Sequence, residues 1–371
     1  MAHDSSIQRI SRLIPLRAIL ALIETRVAPV KARKCAAASA EGLVLVDDIV
    51  TAQRPAWPIA LRDGFAVEAA AIGDAGPYAP VLLPSLPQWI EVGQPLPAGA
   101  DTVAPLDAIN QRGDRIEAIA AVTPGEGVLP ASGDALALTV LRRAGERLRA
   151  LDCAVAAAAG FAELSVREPH VWIANGSAVK APVIDAGLAM LGRFAARSGA
   201  SIHGELTELH EALARDEADV VIAVGGTGSG RDDASVRDLA RLGRVEAHGI
   251  AIAPGETAAF GFVGERPVLL IPGRLDAVLA AWLLIGRYLT ARLAGGTIAD
   301  SPAMLPLRRK ITSTIGMTEL VPVSCTDGLA EPLASGYLSL TALARSDGWI
   351  VVPADSEGFA AGTQVAVRPW P

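Results

Sequence analysis

The order of hydrophobic and polar residues changes character several times along the chain. Over 15–27 apolar residues recur at helical spacing, which predicts an amphipathic helix. From 55 to 130 apolar runs are short and proline and glycine recur between them, which is typical of a β-rich module with many turns. A helix rich in alanine is predicted over 153–159, closed by Gly160.

Strands and helices then alternate. The predicted strands are 171–174, 201–206, 220–224, 245–252 and 267–271, and the predicted helices are 184–197, 209–214, 234–242 and 277–293. Such alternation predicts a parallel sheet covered by helices on both faces, with ligands bound at the carboxyl ends of its strands.

The alternation stops near residue 301, and a small β-rich terminal module is predicted beyond it. Its strands are expected at 311–315, 319–323, 349–352 and 364–367, with one short helix at 338–344. The fold class that follows is a multidomain α/β plus β protein.

Composition narrows the functional classes. The chain has 371 residues, of which 51% are hydrophobic and 4% aromatic, and its net charge is −7. Because it lacks a basic run or an aromatic platform, we expect no nucleic-acid partner. Three widely spaced cysteines make no disulfide framework, the N-terminus lacks a signal-peptide plan, and the helix at 277–293 is short for a membrane span. These features favour the cytoplasm and no membrane association.

The most informative segment is an apolar β-branched run that ends in a glycine-rich loop. After the strand at 220–224 come Gly-Gly-Thr-Gly-Ser-Gly-Arg-Asp-Asp at 225–233, and then a helical pattern. Glycine lets backbone N–H groups approach an anion, and a helix N-terminus adds a favourable dipole. The loop therefore predicts a seat for a phosphate or a similar oxyanion, although a glycine turn capped by aspartate has the same pattern.

Six segments carry short motifs in a fixed order. They are Arg-Asp-Gly-Phe-Ala-Val at 62–67, Gly-Gln-Pro-Leu-Pro-Ala-Gly-Ala-Asp-Thr-Val at 93–103, the glycine loop, Ala-Pro-Gly-Glu-Thr at 253–257, Ile-Pro-Gly-Arg-Leu at 271–275, and Ala-Ser-Gly-Tyr-Leu-Ser-Leu-Thr-Ala-Leu-Ala-Arg at 334–345. Together they resemble the molybdopterin molybdotransferases, the MoeA-type proteins that include the E domain of gephyrin. The resemblance covers most of the chain, from about 15 to 369.

The resemblance implies four structural parts and a reaction. The parts are a helical linker region at 1–50 and 131–168, a β-rich insertion at 51–130, a MogA-like parallel α/β domain at 169–297 and a C-terminal β-module at 298–371. It also implies a homodimer with a shared cleft. Such transferases insert molybdate into molybdopterin by hydrolysing adenylylated molybdopterin, usually with Mg²⁺ as the cofactor.

Carried over residue by residue, the resemblance assigns site residues. The implied catalytic carboxylates are Asp63, Asp107, which stands where the family has glutamate, and Asp233, and the implied metal contacts are Asp63 and Asp233. The implied substrate contacts are Thr102, Gly225, Gly226, Thr227, Gly228, Ser229, Gly230, Arg231, Pro272, Gly273, Arg274 and Ser335. Several have ordinary structural alternatives: an Asp-Gly turn at 63, a β-forming threonine at 102, a helix cap at 233 and a solvated arginine at 274.

The chain also departs from the family pattern. Gly-Ser-Ala at 176–178 replaces Gly-Asp-Glu, and Ala253 and Glu256 replace two lysines. A carboxylate at 256 repels an oxyanion. Arg231, Arg274 and Lys180 are candidate replacement cations.

Two hypotheses follow. In the first, the protein is a transferase that inserts molybdate into adenylylated molybdopterin. In the second, it is a degenerate relative that binds molybdopterin, the finished cofactor or a partner, such as a molybdoenzyme or a MogA-like protein, as a carrier or chaperone. The retained aspartates favour the first, and the lost charges favour the second.

Overall fold

The computed structural model of the protein describes residues 8–178, 181–298 and 300–371. For 204–207 it describes the backbone only. The chain divides into two compact units. The β unit comprises 48–143 and 155–161, and the main unit comprises the described residues of 1–47, 144–154 and 162–371. The first residues of the predicted linker region, 1–7, lie outside the described residues, and its division from the other three parts stays a prediction.

The β unit consists of short strands joined by turns, as its sequence predicts. Its strands are Ile49–Thr51, Ile59–Ala60, Gly64–Val67, Val81–Leu83, Gln88–Ile90, Thr102–Ala104, Ile109–Arg112, Arg115–Ala118, Val128–Leu129 and Thr139–Arg142, and its 3-10 turns are Ala69–Ile72 and Leu106–Ala108. The strand Gly64–Val67 lies between two antiparallel neighbours. Phe65 and Val67 pack with Ile72 and Ala104 in a buried core, which holds the residues before and after these strands in place.

The first part of the main unit contains one amphipathic helix and a small sheet. The helix Leu16–Arg26 buries Leu16, Ile19 and Ile23, which confirms the predicted spacing. The sheet pairs the strands Arg33–Ala36 and Val44–Leu45 with Glu163–Arg167. A further helix, Ala150–Ala158, begins in the main unit and ends in the β unit. It matches the helix predicted over 153–159, and Gly160 follows it at a φ of +89°.

The α/β part of the main unit has a six-stranded sheet. Its strands, in spatial order, are Ser201–Glu208, His170–Asn175, Val220–Val224, Arg266–Ile271, Ala259–Val263 and Arg244–His248. Its helices are Pro182–Arg197, Leu209–Ala214, Ser235–Leu242 and the continuous run Leu275–Ala281, Trp282–Gly286 and Arg287–Ala294, of which the middle part is a π-helix. Apolar residues fill both faces of the sheet.

The prediction of a wholly parallel sheet is correct for three of the five strand pairings and wrong for the two at one edge. Ala259–Val263 runs opposite to the other five strands and pairs antiparallel with Arg266–Ile271 and with Arg244–His248. Ala259–Val263 reaches Arg266–Ile271 through only two residues, and so short a turn joins antiparallel strands alone. Gly261 interrupts the apolar run Ala-Phe-Gly-Phe-Val, and a glycine inside a strand pattern weakens the prediction of a strand.

The predicted strand 245–252 is also two strands. It breaks at Gly249, whose φ is +95°, and its second part, Ile252–Ala253, pairs in parallel with Thr318–Thr326 of the C-terminal module. The glycine conformation redirects the chain, so that two residues of the α/β region become the edge of another sheet.

The C-terminal module is β-rich, as predicted. Its strands are Ala303–Pro306, Ile311–Thr312, Thr318–Thr326, Leu329–Pro332, Gly348–Val352, Gly358–Phe359 and Gln364–Pro369, and its helix is Leu340–Arg345. Ser339 caps this helix by accepting a hydrogen bond from the Ala342 amide at 3.1 Å. Alternating residues such as Val321, Val323, Ile350 and Val352 form the core of the module.

In the described part of the chain, one helix, Leu275–Ala294, is long and apolar enough to cross a membrane. Of its most apolar window, 78% is buried inside the protein, which is the behaviour of a core helix.

Candidate functional site

The glycine loop (residues 225–233) lies at the carboxyl ends of three parallel strands. The Gly225 amide donates to the Ile271 carbonyl at 2.7 Å, and the Gly176 amide donates to the Val224 carbonyl at 2.9 Å. A Cβ placed on Gly273 would lie 3.6 Å from the Gly225 Cα. The structure therefore brings the glycine loop and Pro272-Gly273 together at the sheet edge predicted from the sequence.

Glycine is required at the first turn of this loop. Gly225 and Gly226 have φ values of +98° and +72°. A Cβ on Gly226 would lie 2.1 Å from the Gly176 carbonyl oxygen, and a Cβ on Gly225 would lie 2.6 Å from the Ser177 Cβ. The segment 176–178, where the chain departs from the family pattern, thus packs directly against the loop.

The backbone amides of the loop fall into two groups. Those of Gly225, Gly230 and Asp233 donate within the protein, to Ile271 O, Asp233 Oδ2 and Gly230 O. Those of 226–229 and 231–232 have no hydrogen-bond acceptor among the residues that the structure describes. Four successive amides without an acceptor form the part of the loop that an oxyanion can bind.

Asp233 holds the loop rather than the helix that follows. Its Oδ2 accepts the Gly230 amide at 2.8 Å, while the helix Ser235–Leu242 has Ala234 at its N-cap position with no side-chain cap. The helix-cap alternative for Asp233 is therefore wrong. Its carboxylate lies beside Gly228, close to the free amides, and a negative charge there opposes an anion unless a cation lies between them.

The helix N-terminus is occupied by a residue that no motif indicated. Gln8 is 6% exposed, and its Oε1 accepts the amides of Val236 and Arg237 at 3.0 and 3.2 Å. Its Nε2 donates to the carbonyls of Gly226 and Gly228, both at 3.0 Å. A lone glutamine outside every periodic element gives no sequence signal, so only the folded structure identifies it.

Other loop residues differ in exposure. Thr227 is 1% exposed, its hydroxyl lies 3.0 Å from that of Thr257, and its carbonyl lies 3.0 Å from His248 Nε2. Ser229 and Arg231 are exposed, so that Arg231 is the loop's accessible cation. Lys180, the third candidate cation, lies outside the described residues.

Arg274 is engaged by a neighbouring carboxylate. Its Nε donates to Asp276 Oδ1 at 3.0 Å and its Nη2 to Oδ2, while the guanidinium lies 5.0 Å from the Tyr337 ring centre. The hydrogen bond to Asp276 raises the pKa of Arg274 above its ordinary value. Since two of its nitrogens bind Asp276, an anion would meet the remaining edge of the guanidinium.

Ser335 lies beside a cavity of about 320 Å³ whose charge is negative. Its hydroxyl donates to Glu319 Oε1 at 2.6 Å, and the Gly336 amide donates to the same oxygen at 2.7 Å. Glu319 is 4% exposed. The cavity is lined by Ala253, Glu256, Thr312, Ser313, Thr314, Met317, Glu319, Ser335 and Gly336. Two carboxylates and no lysine or arginine line it, so this cavity does not favour an oxyanion.

In the β unit, Asp63 and Asp107 lie at one end of a sheet. Phe65 pairs with Ala104 in antiparallel register, so the residues before the first strand and those after the second end at the same edge. Asp63 is exposed and its Oδ1 accepts the Val92 amide at 2.9 Å; Asp107 is exposed at the start of a 3-10 turn. Both carboxylates are accessible to solvent.

Thr102 has a structural role in the same unit. It is fully buried, and its hydroxyl lies within hydrogen-bond distance of two backbone carbonyls, Thr123 at 3.1 Å and Glu126 at 2.8 Å. Arg62, where the family has methionine, bonds to the Val103 carbonyl and to Glu126 Oε1 at 3.0 Å. Contact of Thr102 with substrate stays a prediction without a geometric counterpart.

The described residues contain no cluster of three or more histidine, cysteine, aspartate or glutamate side chains with metal-binding spacing. Mg²⁺ in phosphate-binding sites needs only one or two protein carboxylates, with phosphate oxygens and waters supplying the rest. Asp233 beside the free loop amides fits that smaller requirement, because its Oδ1 makes no hydrogen bond with the described residues.

Comparison with known proteins gives consistent matches. The chain matches the family models "MoeA N-terminal region (domain I and II)" over 14–160, "Probable molybdopterin binding domain" over 178–291 and "MoeA C-terminal region (domain IV)" over 304–370. It is 26% identical to molybdopterin molybdenumtransferase 2 of Mycobacterium tuberculosis, over 88% of this chain and 92% of that protein.

Two further similarities agree. The chain is 25% identical to molybdopterin molybdenumtransferase of Synechococcus elongatus, over 85% of this chain and 88% of that one. Its fold resembles the crystal structure of the molybdopterin biosynthesis moeA protein from Pyrococcus horikoshii, with a TM-score of 0.69, 24% identity and coverage of 97% and 100% of the two chains.

Proposed function

Since the chain belongs to the MoeA family, we propose that it acts in molybdenum cofactor biosynthesis, as a transferase that inserts molybdate into adenylylated molybdopterin. Two curated relatives that match more than four-fifths of the chain carry the name molybdopterin molybdenumtransferase. The single observation that carries the proposal is the run of free amides at 226–229 beside Asp233, at the ligand-binding edge of the sheet.

In this proposal the phosphate of molybdopterin is bound by the loop amides. Successive backbone N–H groups in a turn can form a concavity that binds an anion, and no long side chain has to be ordered for it. Arg231, exposed at the end of the loop, supplies the positive charge. In the family pattern, lysines at positions 253 and 256 would supply it. Gly273 and Pro272 close the seat from the neighbouring strand end.

Asp233 would hold a cation against the bound phosphate. Mg²⁺, when bound, would neutralise charge on the phosphate oxygens as the phosphoanhydride bond to AMP is broken by water. Asp233 Oδ1 would be its protein ligand in the loop. Asp63, in the β unit, is proposed separately as a metal contact because the family resemblance implies it. Asp107 would act as a further carboxylate at the same sheet end as Asp63.

A second function, a carrier that binds molybdopterin or the finished cofactor without hydrolysis, is favoured by two observations. The cavity that contains Glu256 and Glu319 is acidic, and Arg274 is tied to Asp276. These contacts weaken the binding of a molybdate dianion. The carrier proposal includes delivery to a molybdoenzyme or exchange with a MogA-like partner.

The deciding experiment follows AMP release from adenylylated molybdopterin with Mg²⁺ and molybdate. We expect release by the wild-type protein and a loss of at least about 100-fold for Asp233→Asn. Asp232→Asn, at an exposed neighbouring position, is the matched control and retains activity. Tight binding of the substrate with no AMP release by the wild-type protein would favour the carrier instead.

We propose that the protein is a homodimer and that it is located in the cytoplasm. Light scattering after size-exclusion chromatography tests the dimer, since a mass near twice that of the 38.2 kDa chain is expected.

A further inference from the structure

Gln8 makes four hydrogen bonds, two with the glycine loop and two with the helix that follows it. Its carbonyl oxygen accepts two amides of the helix Ser235–Leu242, and its amide nitrogen donates to two loop carbonyls. The side chain is buried, although it lies near the beginning of the described chain. A neutral side-chain oxygen thus takes the position that a helix N-terminus offers to an anion.

The segment 8–14, which carries Gln8, is held mainly at its two ends. At the far end the Ile14 amide donates to the Gly249 carbonyl at 2.9 Å, and the Ala251 amide donates to the Ile14 carbonyl at 2.8 Å. Residues 9–13 make no hydrogen bond with the rest of the described chain, and most of them are exposed. Ile10, the Arg12 carbonyl and Leu13 lie against Gly249, since a Cβ placed there would be within 3.2 Å of each. A mostly exposed segment held by these contacts and by hydrogen bonds at its two ends detaches at lower cost than the core.

The oxyanion seat is therefore divided. The amides of 226–229 are free, while those of Val236 and Arg237 are taken by Gln8. The loop and the helix start are adjacent, because the Ser235 amide donates to the Gly226 carbonyl at 3.1 Å. A phosphate bound by the free amides alone would lack the helix dipole and two donors.

We propose that the segment 8–14 is a displaceable plug, and that an oxyanion binds the complete seat only when Gln8 leaves the helix N-terminus. The inference rests on the proposed function, since it takes the glycine loop as the seat of the substrate's phosphate. Because only molecules with a vacant seat bind the oxyanion, the apparent affinity is the intrinsic affinity multiplied by the fraction of such molecules. It also keeps the loop folded between binding events, because Gln8 satisfies loop carbonyls and helix amides together.

The test measures binding of inorganic pyrophosphate in the presence of Mg²⁺ by isothermal titration calorimetry, since Asp233 opposes an anion without a cation. Gln8→Met keeps the length of the side chain and removes its four hydrogen bonds. We expect it to bind pyrophosphate about tenfold tighter than the wild-type protein, which corresponds to a seat vacant in about one molecule in ten. Gln111→Met, at an exposed glutamine of the β unit, is the matched control and leaves the affinity unchanged. Equal or weaker binding by folded Gln8→Met would overturn the proposal and make Gln8 a fixed part of the loop.

A second measurement uses the wild-type protein alone. Saturating pyrophosphate should speed hydrogen exchange of the Ile14 amide, which donates to the Gly249 carbonyl, and slow that of 226–229. Slower or unchanged exchange of the Ile14 amide overturns the plug, even where Gln8→Met does not fold. AMP release is assayed separately: release by a wild-type protein whose Ile14 amide stays protected would keep the proposed function and reject only the plug.

Discussion

Arg274 and Asp276 form a two-pronged ion pair at the start of a buried helix. Asp276 is 3% exposed, whereas the Arg274 side chain is 54% exposed. The carboxylate also accepts the amides of Leu338, from the C-terminal module, at 3.1 Å and of Ala277 at 2.8 Å. One buried charge thus ties a helix start, an arginine and a second module together.

Removal of this carboxylate should destabilise the main unit. We expect Asp276→Ala to lower the free energy of unfolding by about 3 kcal/mol. The amides of Ala277 and Leu338 lose their acceptor, and Arg274 loses its ion-pair partner. Urea denaturation followed by circular dichroism measures the change. Asp238→Ala, which breaks a surface pair with Arg241, should cost less than about 1 kcal/mol. Equal effects of the two substitutions would contradict the role given to Asp276.

A methyl group in the glycine loop should cost more than one in an open turn. Gly226 and Gly264 both have positive φ values, +72° and +61°. A Cβ on Gly226 would lie 2.1 Å from a backbone oxygen, whereas a Cβ on Gly264 meets no atom within 4 Å. We expect Gly264→Ala to cost about 1 kcal/mol, from φ alone, and Gly226→Ala to cost at least about 2 kcal/mol more. Thermal unfolding compares them; similar melting temperatures would show that the loop relaxes freely.

A lysine at position 256 should restore affinity for an oxyanion. Glu256→Lys changes the charge of the cavity by two units, and one charge pair at about 4 Å contributes about 1 kcal/mol even in water. We expect molybdate to bind at least about tenfold tighter at low ionic strength, with the gain shrinking as salt is added. Equilibrium dialysis of molybdate measures it. Glu217→Lys, at an exposed site with a 68% exposed side chain, should change little. A gain in both variants would point to non-specific attraction.

Acidification should lower the stability of the β unit, because Glu126 becomes protonated. The Thr123 amide, followed by the Arg62 guanidinium, lowers the pKa of Glu126 below its ordinary value. A carboxylate whose pKa is lower in the folded state stabilises the fold above its unfolded pKa of about 4.3, and that contribution is lost as the pH falls through the lower folded value. The melting temperature of the wild-type protein should therefore fall more steeply below about pH 4.5 than that of Glu126→Gln. Parallel curves for the two proteins would rule out this contribution.

Most helices and strands were predictable because apolar runs and helical spacing, bounded by glycine, proline or polar residues, mark them in the sequence. The helix Leu209–Ala214 and the strand Val220–Val224 begin and end at the predicted residues. The failures lie where the backbone, rather than the side-chain pattern, decides. Gly249 divides one apolar run between two sheets, and a two-residue turn reverses the strand Ala259–Val263.

The candidate site divides in the same way. The position of the glycine loop beside Pro272-Gly273 follows from strand order, which the alternating pattern encodes. The partners of individual side chains do not follow from it. Gln8, Asp276 and Glu319 act through contacts across 228, 62 and 16 residues or more of the chain, and no local pattern encodes such distant pairings.

The parallel pairing of Ile252–Ala253 with Thr318–Thr326 has a mechanical consequence. Backbone hydrogen bonds fasten the residues just before Glu256 to the terminal module, so any tilt of that module carries this acidic turn with it. The position of Glu256 in the wall of the cavity therefore depends on the C-terminal module. Excision of the chain beyond 298 would leave Ile252–Ala253 without its ladder partner and the turn without its anchor.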